Sequence, residues 1–342
     1  MTWLCNELAE KRGWDVHLLT FTLPEREPSF PLSARVTLYR EGMDGSGWSL
    51  RKLGNLWRRI QCIRNCVTRL RPNVVLSFLD SNNLVVILST LGKQVRVVVS
   101  ERIDPSQQSF PWIAKIMRAV LYRRAAAIAV QSDRVNQYFL GRGFGQTKII
   151  PNPVTARFLS NQCDYATKRI VAVGRLAEQK GFDVLIESFA KIAKQFPDWS
   201  IDIYGEGGSR ESLSKLIQLN DLHERVRLCG ACSDIEARLV NYSVFAFPSL
   251  YEGFPNALAE AMASGLSCVA FSDVSGVDDL IEDGESGLLS KHGDKECFAQ
   301  KLAELLESEE GRSEFGKTGK RRVADRFSEE VVLNLWKEVL LA

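Results

Sequence analysis

Two glutamates eight residues apart, Glu252 and Glu260, are the first candidates for binding chemistry in this sequence. The segment Gly253-Phe254-Pro255-Asn256 between them has the composition of a turn that opens a helix. Such a turn directs the first, unpaired N–H groups of the helix at one spot, where they suit an anionic or hydroxyl-rich ligand. Glu260 can then accept hydrogen bonds from both vicinal hydroxyls of a ribose, and Glu252 can reach a sugar hydroxyl. The alternative is that both carboxylates are solvated surface groups.

Two cations nearer the N-terminus fit the same ligand. Arg175 follows a predicted strand in Gly174-Arg175-Leu176, and Lys180 precedes Gly181 at a predicted helix start. Arginine offers a planar fork to a phosphate and lysine a point charge, and each charge-assisted hydrogen bond contributes about 1.5–3 kcal/mol. Together they can replace a metal ion, and the sequence has no Asp-x-Asp triplet to hold one, so we expect no metal cofactor. Taken alone, the two cations are equally well explained as an exposed helix start.

The segment from Glu252 to Glu260 resembles the E-x7-E motif of glycosyltransferase family 4, and the resemblance continues around Arg175 and Lys180. Gly205-Glu206-Gly207, after the next predicted strand, is similar to a loop that lies near the nucleotide in that family, although a Gly-x-Gly alone is weak evidence. The resemblance covers nearly the whole chain and is weaker in the first half, where acceptor identity is usually encoded.

This resemblance implies a GT-B fold and a retaining transferase whose donor is a nucleotide diphosphate sugar. It implies that Arg175 and Lys180 hold the diphosphate and that Glu252 contacts the donor sugar, and we expect these three to form the catalytic group. The residues expected to bind the donor are Gly205, Glu206, Gly253, Phe254, Asn256 and Glu260.

The elements that must position these residues follow an α/β pattern. Short β-branched runs alternate with longer amphipathic stretches, which predicts βαβ units, parallel sheets and two Rossmann-like domains facing a cleft. The predicted strands are 15–21, 73–78, 94–100, 126–130 and 148–150 in the first half, and 169–173, 200–204, 225–228, 243–247 and 267–271 in the second.

Pro151-Asn152-Pro153 fits a connection between the two domains, because proline fixes φ and removes backbone donors. We expect an acceptor-side domain over 1–157, a nucleotide-sugar-binding domain over 158–325, and a helix over 326–342 that returns to the first domain. The tail from Glu296 onwards is predicted to be helical, with a break near Arg326-Phe327-Ser328.

The start of the chain departs from this pattern. Leu4, Leu8 and Ala9 form a helical stripe that ends at Gly13, directly before the first predicted strand. A Rossmann domain should instead open with a strand and a glycine-rich turn. A central strand with about four large buried side chains contributes on the order of 6–12 kcal/mol. We therefore expect either that the true start lies upstream or that the first domain is compromised.

The segment 100–105 follows a predicted strand and is similar to a Ser-Glu-Arg-x-x-Pro variant in transferases that extend lipid-linked or capsular oligosaccharides. Many relatives have a histidine in this region. The histidines of this chain lie elsewhere, at His17, His223 and His292. We therefore expect Ser100, Glu101 or Asp104 to face the acceptor, and the alternative is an ordinary loop.

Charge is distributed unevenly, although the whole chain carries only +2. Residues 1–157 contain 23 Lys and Arg against 11 Asp and Glu, whereas 158–342 contain 21 against 31. In the first half, basic residues accompany apolar ones at helical spacing over 51–71 and again over 110–124. These segments predict a peripheral contact with an anionic membrane, and solvated helices on a protein core are the alternative. No nucleic-acid-binding module is recognisable.

Other features exclude several classes of protein. No apolar stretch approaches the roughly 18–20 residues that span a bilayer, and the N-terminus lacks a signal pattern. The eight cysteines are scattered, and Cys229-Gly-Ala-Cys232 has no second pair, so we expect cysteines that pack as small apolar residues. We expect a cytoplasmic protein that can attach to the inner face of the cell membrane.

The sequence as a whole predicts a hexosyltransferase that uses a nucleotide diphosphate sugar, with UDP favoured, and a hydroxyl of a lipid-linked or surface-polysaccharide glycan. Two alternatives stay open. One is a nucleotide-sugar epimerase or hydrolase, although no constellation for water activation or proton transfer is visible. The other is a non-catalytic fragment that binds nucleotide sugar, because the missing glycine turn belongs to the cleft face of the first domain.

Overall fold

A computed structural model describes residues 1–21, 30–42, 50–106 and 112–342. Within these ranges the strands pair in parallel and are connected mainly through helices. The strands are short and rich in Val, Ile and Ala. In the segment 267–271 every residue is buried, which is typical of a parallel strand covered by helices on both faces.

The first domain contains two parallel sheets. One pairs β1 (Val16–Thr20) with β2 (Val36–Arg40). The other has four strands in chain order, namely β3 (Val74–Phe78), β4 (Arg96–Ser100), β5 (Ala127–Val130) and β6 (Thr147–Ile149). The helices are α1 (Thr2–Lys11), α2 (Leu50–Leu70), α3 (Asp80–Thr90), α4 (Trp112–Leu121) and α5 (Asp133–Leu140). The short α6 (Ala156–Ser160) follows the connection between the domains, and its Phe158 belongs to the core of the second domain.

The second domain contains a parallel sheet of six strands. They are β7 (Arg169–Val173), β8 (Ser200–Tyr204), β9 (Val226–Gly230), β10 (Val244–Phe247), β11 (Ser267–Phe271) and β12 (Leu288–Ser290). The helices are α7 (Phe182–Ile192), α8 (Arg210–Leu219), α9 (Ile235–Leu239), α10 (Asn256–Ala263), α11 (Val277–Leu280), α12 (Lys295–Glu307), α13 (Glu309–Phe327) and α14 (Glu329–Leu341).

The strand order of this second sheet creates a topological switch point. The order is β12-β11-β10-β7-β8-β9, so the chain proceeds from β7 to β8 and β9 on one side and then crosses to β10 on the other. Consequently β7 and β10 are neighbours, and the connections after them lead to opposite sides of the sheet. Ligands of open α/β sheets bind beyond the carboxyl ends of the strands at such a point.

The last helix, α14, packs against the first domain. Its Trp336 is 2% exposed and belongs to one apolar cluster with Leu4 of α1 and Val98 of β4. Ser328, which separates α13 from α14, forms a β-bridge with Val154 beside the proline-rich connection. The C-terminus is thereby attached to the core of the first domain by apolar burial.

The α/β class with parallel sheets is confirmed, and the differences concern small elements. The sequence did not predict β2 or β12. The tail has a further break at Ser308, whose hydroxyl accepts a hydrogen bond from the Gly311 amide at 2.9 Å and so caps α13. Within the described ranges the chain opens with α1, and the sheet of β1 and β2 is not hydrogen-bonded to that of β3.

Candidate active site

The candidate residues of the second domain follow strands that are adjacent in its sheet. Gly174 and Arg175 come directly after β7, Gly205 comes after β8, and the segment 248–254 comes after β10. Because these strands are parallel and lie in the order β10-β7-β8, their following loops lie side by side at the carboxyl edge. The loops therefore meet at the switch point.

Two glycines let the loop after β8 approach the loop after β7 backbone to backbone. Gly205 has a φ of +147°, and a Cβ there would lie 1.8 Å from the Gly174 carbonyl oxygen. A Cβ on Gly207 would lie 2.3 Å from the Leu176 carbonyl oxygen. Glu206 between them is exposed and forms an ion pair with the first residue of α8 at 3.2 Å. Only glycine fits the two flanking positions without displacing the backbone.

A salt bridge joins the loops after β7 and β10. Lys180 Nζ lies 2.5 Å from Glu252 Oε1, and the two side chains are only 17% and 9% exposed. Gly181 allows this approach, because a Cβ there would lie 2.1 Å from the Pro248 carbonyl oxygen. Gln179 also joins the two loops. Its backbone carbonyl accepts a hydrogen bond from the Leu250 amide, and its side-chain Nε2 donates a hydrogen bond to the Tyr251 carbonyl oxygen. The structure thus brings together two of the three predicted catalytic side chains.

Glu260 lies inside α10, one turn after the helix begins at Asn256. Its side chain is partly buried, and no cation or hydrogen-bond donor faces its carboxyl group in the part of the chain that the structure describes. Burial therefore raises the pKa of Glu260 to about 7. A carboxyl group whose pKa burial has raised is a candidate for ligand binding.

The remaining donor candidates differ in their surroundings. Arg175 is exposed, and among the described residues its guanidinium has no ion-pair or hydrogen-bond partner. Asn256 Oδ1 accepts a hydrogen bond from Asn152 Nδ2 at 2.8 Å, which joins the start of α10 to the connection between the domains. Phe254 is 5% exposed and packs against Phe327, so only its backbone is available to a ligand.

The three acceptor-side candidates lie inside the first domain. Ser100, Glu101 and Asp104 are 1%, 3% and 3% exposed. Glu101 accepts a hydrogen bond from the Tyr122 hydroxyl, and the Asp104 carboxylate lies 3.6 Å from Nε of Arg134. In this conformation none of the three can contact an acceptor, which corrects the expectation from the sequence. The physical reason is that the two carboxyl groups are bonded inside the domain.

The backbone of this segment, rather than its side chains, meets the second domain. A Cβ on Gly253 would lie 2.5 Å from the Arg102 carbonyl oxygen and 3.3 Å from Ile103 Cα. The Arg102 side chain turns away and donates to Asn152 Oδ1 at 2.9 Å, and burial lowers its pKa to about 10. The sequence did not predict this contact. The feature of the sequence that could have indicated it is Gly253, directly after Glu252, because a glycine permits the close approach of another backbone.

Further hydrogen bonds join the domains on the side of α5. Donors and acceptors at the start of this helix face the segment 273–279 that follows β11. The contacts are Ser132 Oγ to Ser275 Oγ at 2.8 Å, the Asp133 amide to Asp279 Oδ2 at 3.2 Å, and Arg134 Nη1 to the Asp273 carbonyl at 2.6 Å. The two domains are therefore in direct contact around the candidate site.

Two family models match the chain in succession. A glycosyl transferase 4-like domain matches residues 1–155, and a model described as glycosyl transferases group 1 matches residues 161–322. The chain belongs to the glycosyltransferases. The second match contains the three loops of the candidate site, so the resemblance drawn from the motifs of this glycosyltransferase is confirmed.

Relatives of this glycosyltransferase are similar over different lengths. An uncharacterized glycosyltransferase of Haemophilus influenzae is 31% identical over 191 residues, which are 56% of this chain and 54% of that protein. The chain thus spans about half the length of that relative. An alpha-1,4-N-acetyl-D-galactosaminyltransferase of Campylobacter jejuni is 25% identical over 279 residues, 80% of this chain and 76% of that protein.

Among solved structures, that of Anabaena HepE in complex with UDP is similar to this glycosyltransferase. The two have a TM-score of 0.76 at 18% sequence identity, and the match covers 90% of this chain and 86% of that one. At this level of identity the similarity concerns the fold. It confirms the GT-B arrangement of two Rossmann-like domains.

Proposed function

We propose that this glycosyltransferase transfers a hexosyl unit from a UDP-sugar to a hydroxyl of a lipid-linked or surface-polysaccharide glycan, with retention of configuration. The observation that carries the proposal is the largely buried Lys180–Glu252 pair at the switch point between β7 and β10. A cation and a carboxylate at this place suit a ligand that is anionic in one part and rich in hydroxyls in another. A nucleotide diphosphate sugar is such a ligand.

In this proposal Lys180 and Arg175 hold the diphosphate. Lys180 uses one of its three N–H donors on Glu252, which leaves two for phosphate oxygens. Arg175 presents its planar fork to the same anion. The first amides of α10 add backbone donors. Because protein cations and dipoles stabilise the diphosphate, the proposal includes no metal ion.

Glu260 holds the ribose of the donor, and Glu252 contacts a hydroxyl of the donor sugar. The glycines at 205 and 207 keep the backbone beside the nucleotide free of side chains. Two ribose hydroxyls that donate to Glu260 stabilise its ionised form, so donor binding lowers the pKa that burial has raised. Donor affinity therefore increases with pH around neutrality.

Transfer follows by front-face substitution. The bond between the anomeric carbon and the diphosphate oxygen breaks while a bond to the acceptor oxygen forms on the same face. The departing diphosphate takes the proton of the acceptor hydroxyl. Configuration is retained without a protein nucleophile, and the protein contributes positioning and stabilisation of the charge on the leaving group.

One solved structure of similar fold and one relative support the choice of nucleotide and acceptor. The HepE structure was solved with UDP. The Campylobacter jejuni transferase is described as extending a glycan attached to PP-undecaprenol with N-acetylgalactosamine. A hexosyl donor with UDP and a polyprenyl-linked acceptor are therefore the first substrates to test.

Calorimetric titration with UDP tests the donor site. We expect Glu260→Ala to abolish UDP binding in this titration. Arg175→Ala should chiefly slow turnover, which is measured as the rate at which UDP is formed from a UDP-hexose. Glu285→Ala and Arg157→Ala alter exposed residues away from the site and serve as matched controls. Wild-type behaviour of both site variants would refute the assignment.

We further propose that α4 lies on an anionic membrane during acceptor binding. Its exposed apolar side chains, 53–70% accessible, are Trp112, Ile113, Ile116 and Val120. Exposed cations accompany them at Lys115, Arg123 and Arg124. Such a combination inserts apolar groups at the headgroup boundary while cations attract anionic lipids. No helix in the described residues has the length and hydropathy to cross a membrane.

The other predicted basic helix, α2, supports this contact only in part. Trp57 is 62% exposed. However, Arg59 Nη2 donates to Asn82 Oδ1 at 2.6 Å, and Arg64 Nη1 donates to carbonyl groups at the end of α3. These cations stabilise the first domain rather than facing solvent. For 51–53 the structure describes the helical backbone but not the predicted basic and apolar side chains, and 110–111 lie outside the described residues.

Co-sedimentation with vesicles tests the membrane contact. We expect the wild-type protein to bind vesicles that contain anionic lipid and to be released by 0.5 M salt, roughly, because screening shortens the range of surface charge. Trp112→Ala/Ile116→Ala should bind several-fold more weakly. Leu219→Ala on α8, where the side chain is 82% exposed, is the matched control. Equal binding by both variants would contradict the proposal.

A further inference from the structure

Glu101 is a buried carboxyl group that the proposed donor binding and transfer do not use. It lies one residue after β4 and is 3% exposed. Burial raises its pKa, because the charged form is disfavoured away from water. Glutamate is almost never buried to this extent unless its carboxyl group is hydrogen-bonded.

Two side chains from other elements satisfy this carboxyl group. The hydroxyl of Tyr122, in the 3₁₀ turn after α4, donates to Glu101 Oε1. Nδ2 of Asn83, on α3, lies 3.4 Å from Glu101 Oε1, 3.1 Å from the Tyr122 hydroxyl and 3.1 Å from the Ser100 carbonyl oxygen. Tyr122 and Asn83 are fully buried. We call Glu101, Tyr122 and Asn83 the Glu101 cluster; it fixes the end of β4 from inside the first domain.

The side chain of Arg102, the residue after Glu101, holds the backbone at the end of β4 from the opposite side. The guanidinium of Arg102 lies 4.8 Å from the ring centroid of Phe78 and 5.3 Å from that of Trp336 on α14. It also donates to Asn152 in the connection between the domains. The backbone at Arg102 is therefore held on both sides, and its carbonyl oxygen is the atom against which Gly253 packs.

We propose that the Glu101 cluster positions the segment 101–103 against Gly253, and thereby places Glu252 for sugar transfer without contributing to nucleotide affinity. The inference rests on the proposed function. Gly253 has no side chain that could absorb a displacement, and its neighbour Glu252 is bonded to Lys180. Lys180, Arg175 and Glu260 belong to the second domain, and none bonds to the cluster in the described part of the chain. Glu101, Tyr122 and Asn83 are thus positioning residues.

Tyr122→Phe is the central variant, because it retains the ring and removes only the hydroxyl. We expect the turnover of a UDP-hexose to fall about tenfold, a change of about 1.4 kcal/mol in the barrier, while the Kd for UDP stays within twofold. Tyr138→Phe is the matched control. Its ring packs against the apolar cluster that contains Tyr122, its hydroxyl accepts from Arg118, and among the described residues it does not bond to 100–104.

Hydrogen–deuterium exchange of the free protein provides a readout that needs no substrate. We expect faster exchange of the amides in 249–256 in Tyr122→Phe and no change in Tyr138→Phe. Glu101→Gln keeps an acceptor oxygen for Tyr122 and should retain most turnover, whereas Glu101→Ala should resemble Tyr122→Phe. If wild-type protein fails to bind UDP, the proposed function fails while the exchange result still tests the coupling. Unchanged exchange at 249–256 in Tyr122→Phe, or equal losses in both tyrosine variants, would overturn the inference.

Discussion

Among the described residues no cation neutralises the carboxyl group of Glu260, and its burial gives the fold a pH dependence. Burial raises its pKa from 4.5 to about 7, so the folded state binds this proton more tightly than the unfolded chain does. The resulting stability is fully present below pH 4.5 and is lost as the pH rises through 7. At pH 8 the ionised carboxylate therefore destabilises the fold.

Glu260→Gln should remove this effect. We expect the variant to be more stable than the wild type by about 1–3 kcal/mol at pH 8 and nearly equal to it at pH 4. Urea unfolding at the two pH values measures the difference. A variant that is no more stable than wild type at pH 8 would show that the carboxyl group is not desolvated.

Removing a charge from the Lys180–Glu252 pair should lower the stability of the fold, whereas Glu260→Gln should raise it. Lys180→Met leaves a buried carboxylate without its cation and should destabilise the protein by about 3–5 kcal/mol, whereas the double variant Lys180→Met/Glu252→Gln should recover most of the loss. Lys215→Met breaks an exposed ion pair with Glu211 and should cost under about 0.5 kcal/mol. Equal losses for the two lysine variants in urea unfolding would contradict the burial of the first pair.

At the residue scale, the sequence predicted some neighbours and misplaced others. Lys180 and Glu252 were expected at one ligand because both belong to motifs that follow parallel strands. Glu101 was expected at the acceptor because the segment 100–105 resembles an acceptor-side variant of the family and has no histidine. Its burial depends on Tyr122, 21 residues further along the chain, and no local pattern reveals a hydrogen bond between residues on different elements.

At the scale of elements, the loop after β8 depends on backbone packing. Gly205→Ala would place a Cβ 1.8 Å from the Gly174 carbonyl oxygen at a φ of +147°, so the loops after β7 and β8 must separate. We expect a loss of at least about 2 kcal/mol in stability and at least tenfold weaker UDP binding. Calorimetric titration and thermal unfolding measure the two effects.

Gly208→Ala is the matched control in the same loop. No atom lies within 4 Å of the Cβ that it would add. We expect UDP binding and stability close to those of the wild type. If Gly208→Ala weakened binding as much as Gly205→Ala, the loop would be sensitive to any side chain and the close approach would not be the cause.

The main strands were predictable because their β-branched runs alternate with helical stretches. β7, β8 and β11 have the predicted bounds. β12 has only three residues, and β2 has a single buried residue. Neither strand is therefore long or apolar enough to show the alternating hydrophobic pattern from which a strand is predicted. The break at Ser308 was missed because it interrupts a helical pattern by one capped residue.

At the scale of the whole molecule, contacts across the domain boundary hold the cleft in the described conformation. Arg134→Ala/Asp279→Ala would remove two of the bonds between α5 and the segment after β11. We expect the variant to populate a more open cleft, with a larger radius of gyration in small-angle scattering and a higher KM for the acceptor. Identical scattering of the variant and the wild type would show that these contacts do not hold the domains together.

Arg142→Ala is the control for this comparison. Its guanidinium stacks on Tyr138 within the first domain, 3.6 Å from the ring centroid, and among the described residues it makes no contact with the second domain. It should leave the scattering curve unchanged. The contacts between α5 and the segment after β11 could not be predicted from the sequence. They join the surfaces of two domains, and the hydrophobic pattern of a sequence does not encode how two domains are placed relative to each other.

The proposed function requires that a nucleotide diphosphate binds at the switch point of the second domain. A crystal structure of the protein with UDP tests it most directly. We expect diphosphate oxygens within hydrogen-bonding distance of Arg175 and Lys180, and ribose hydroxyls that donate to the carboxylate of Glu260. UDP bound elsewhere, or bound with its ribose away from Glu260, would refute the proposed donor site.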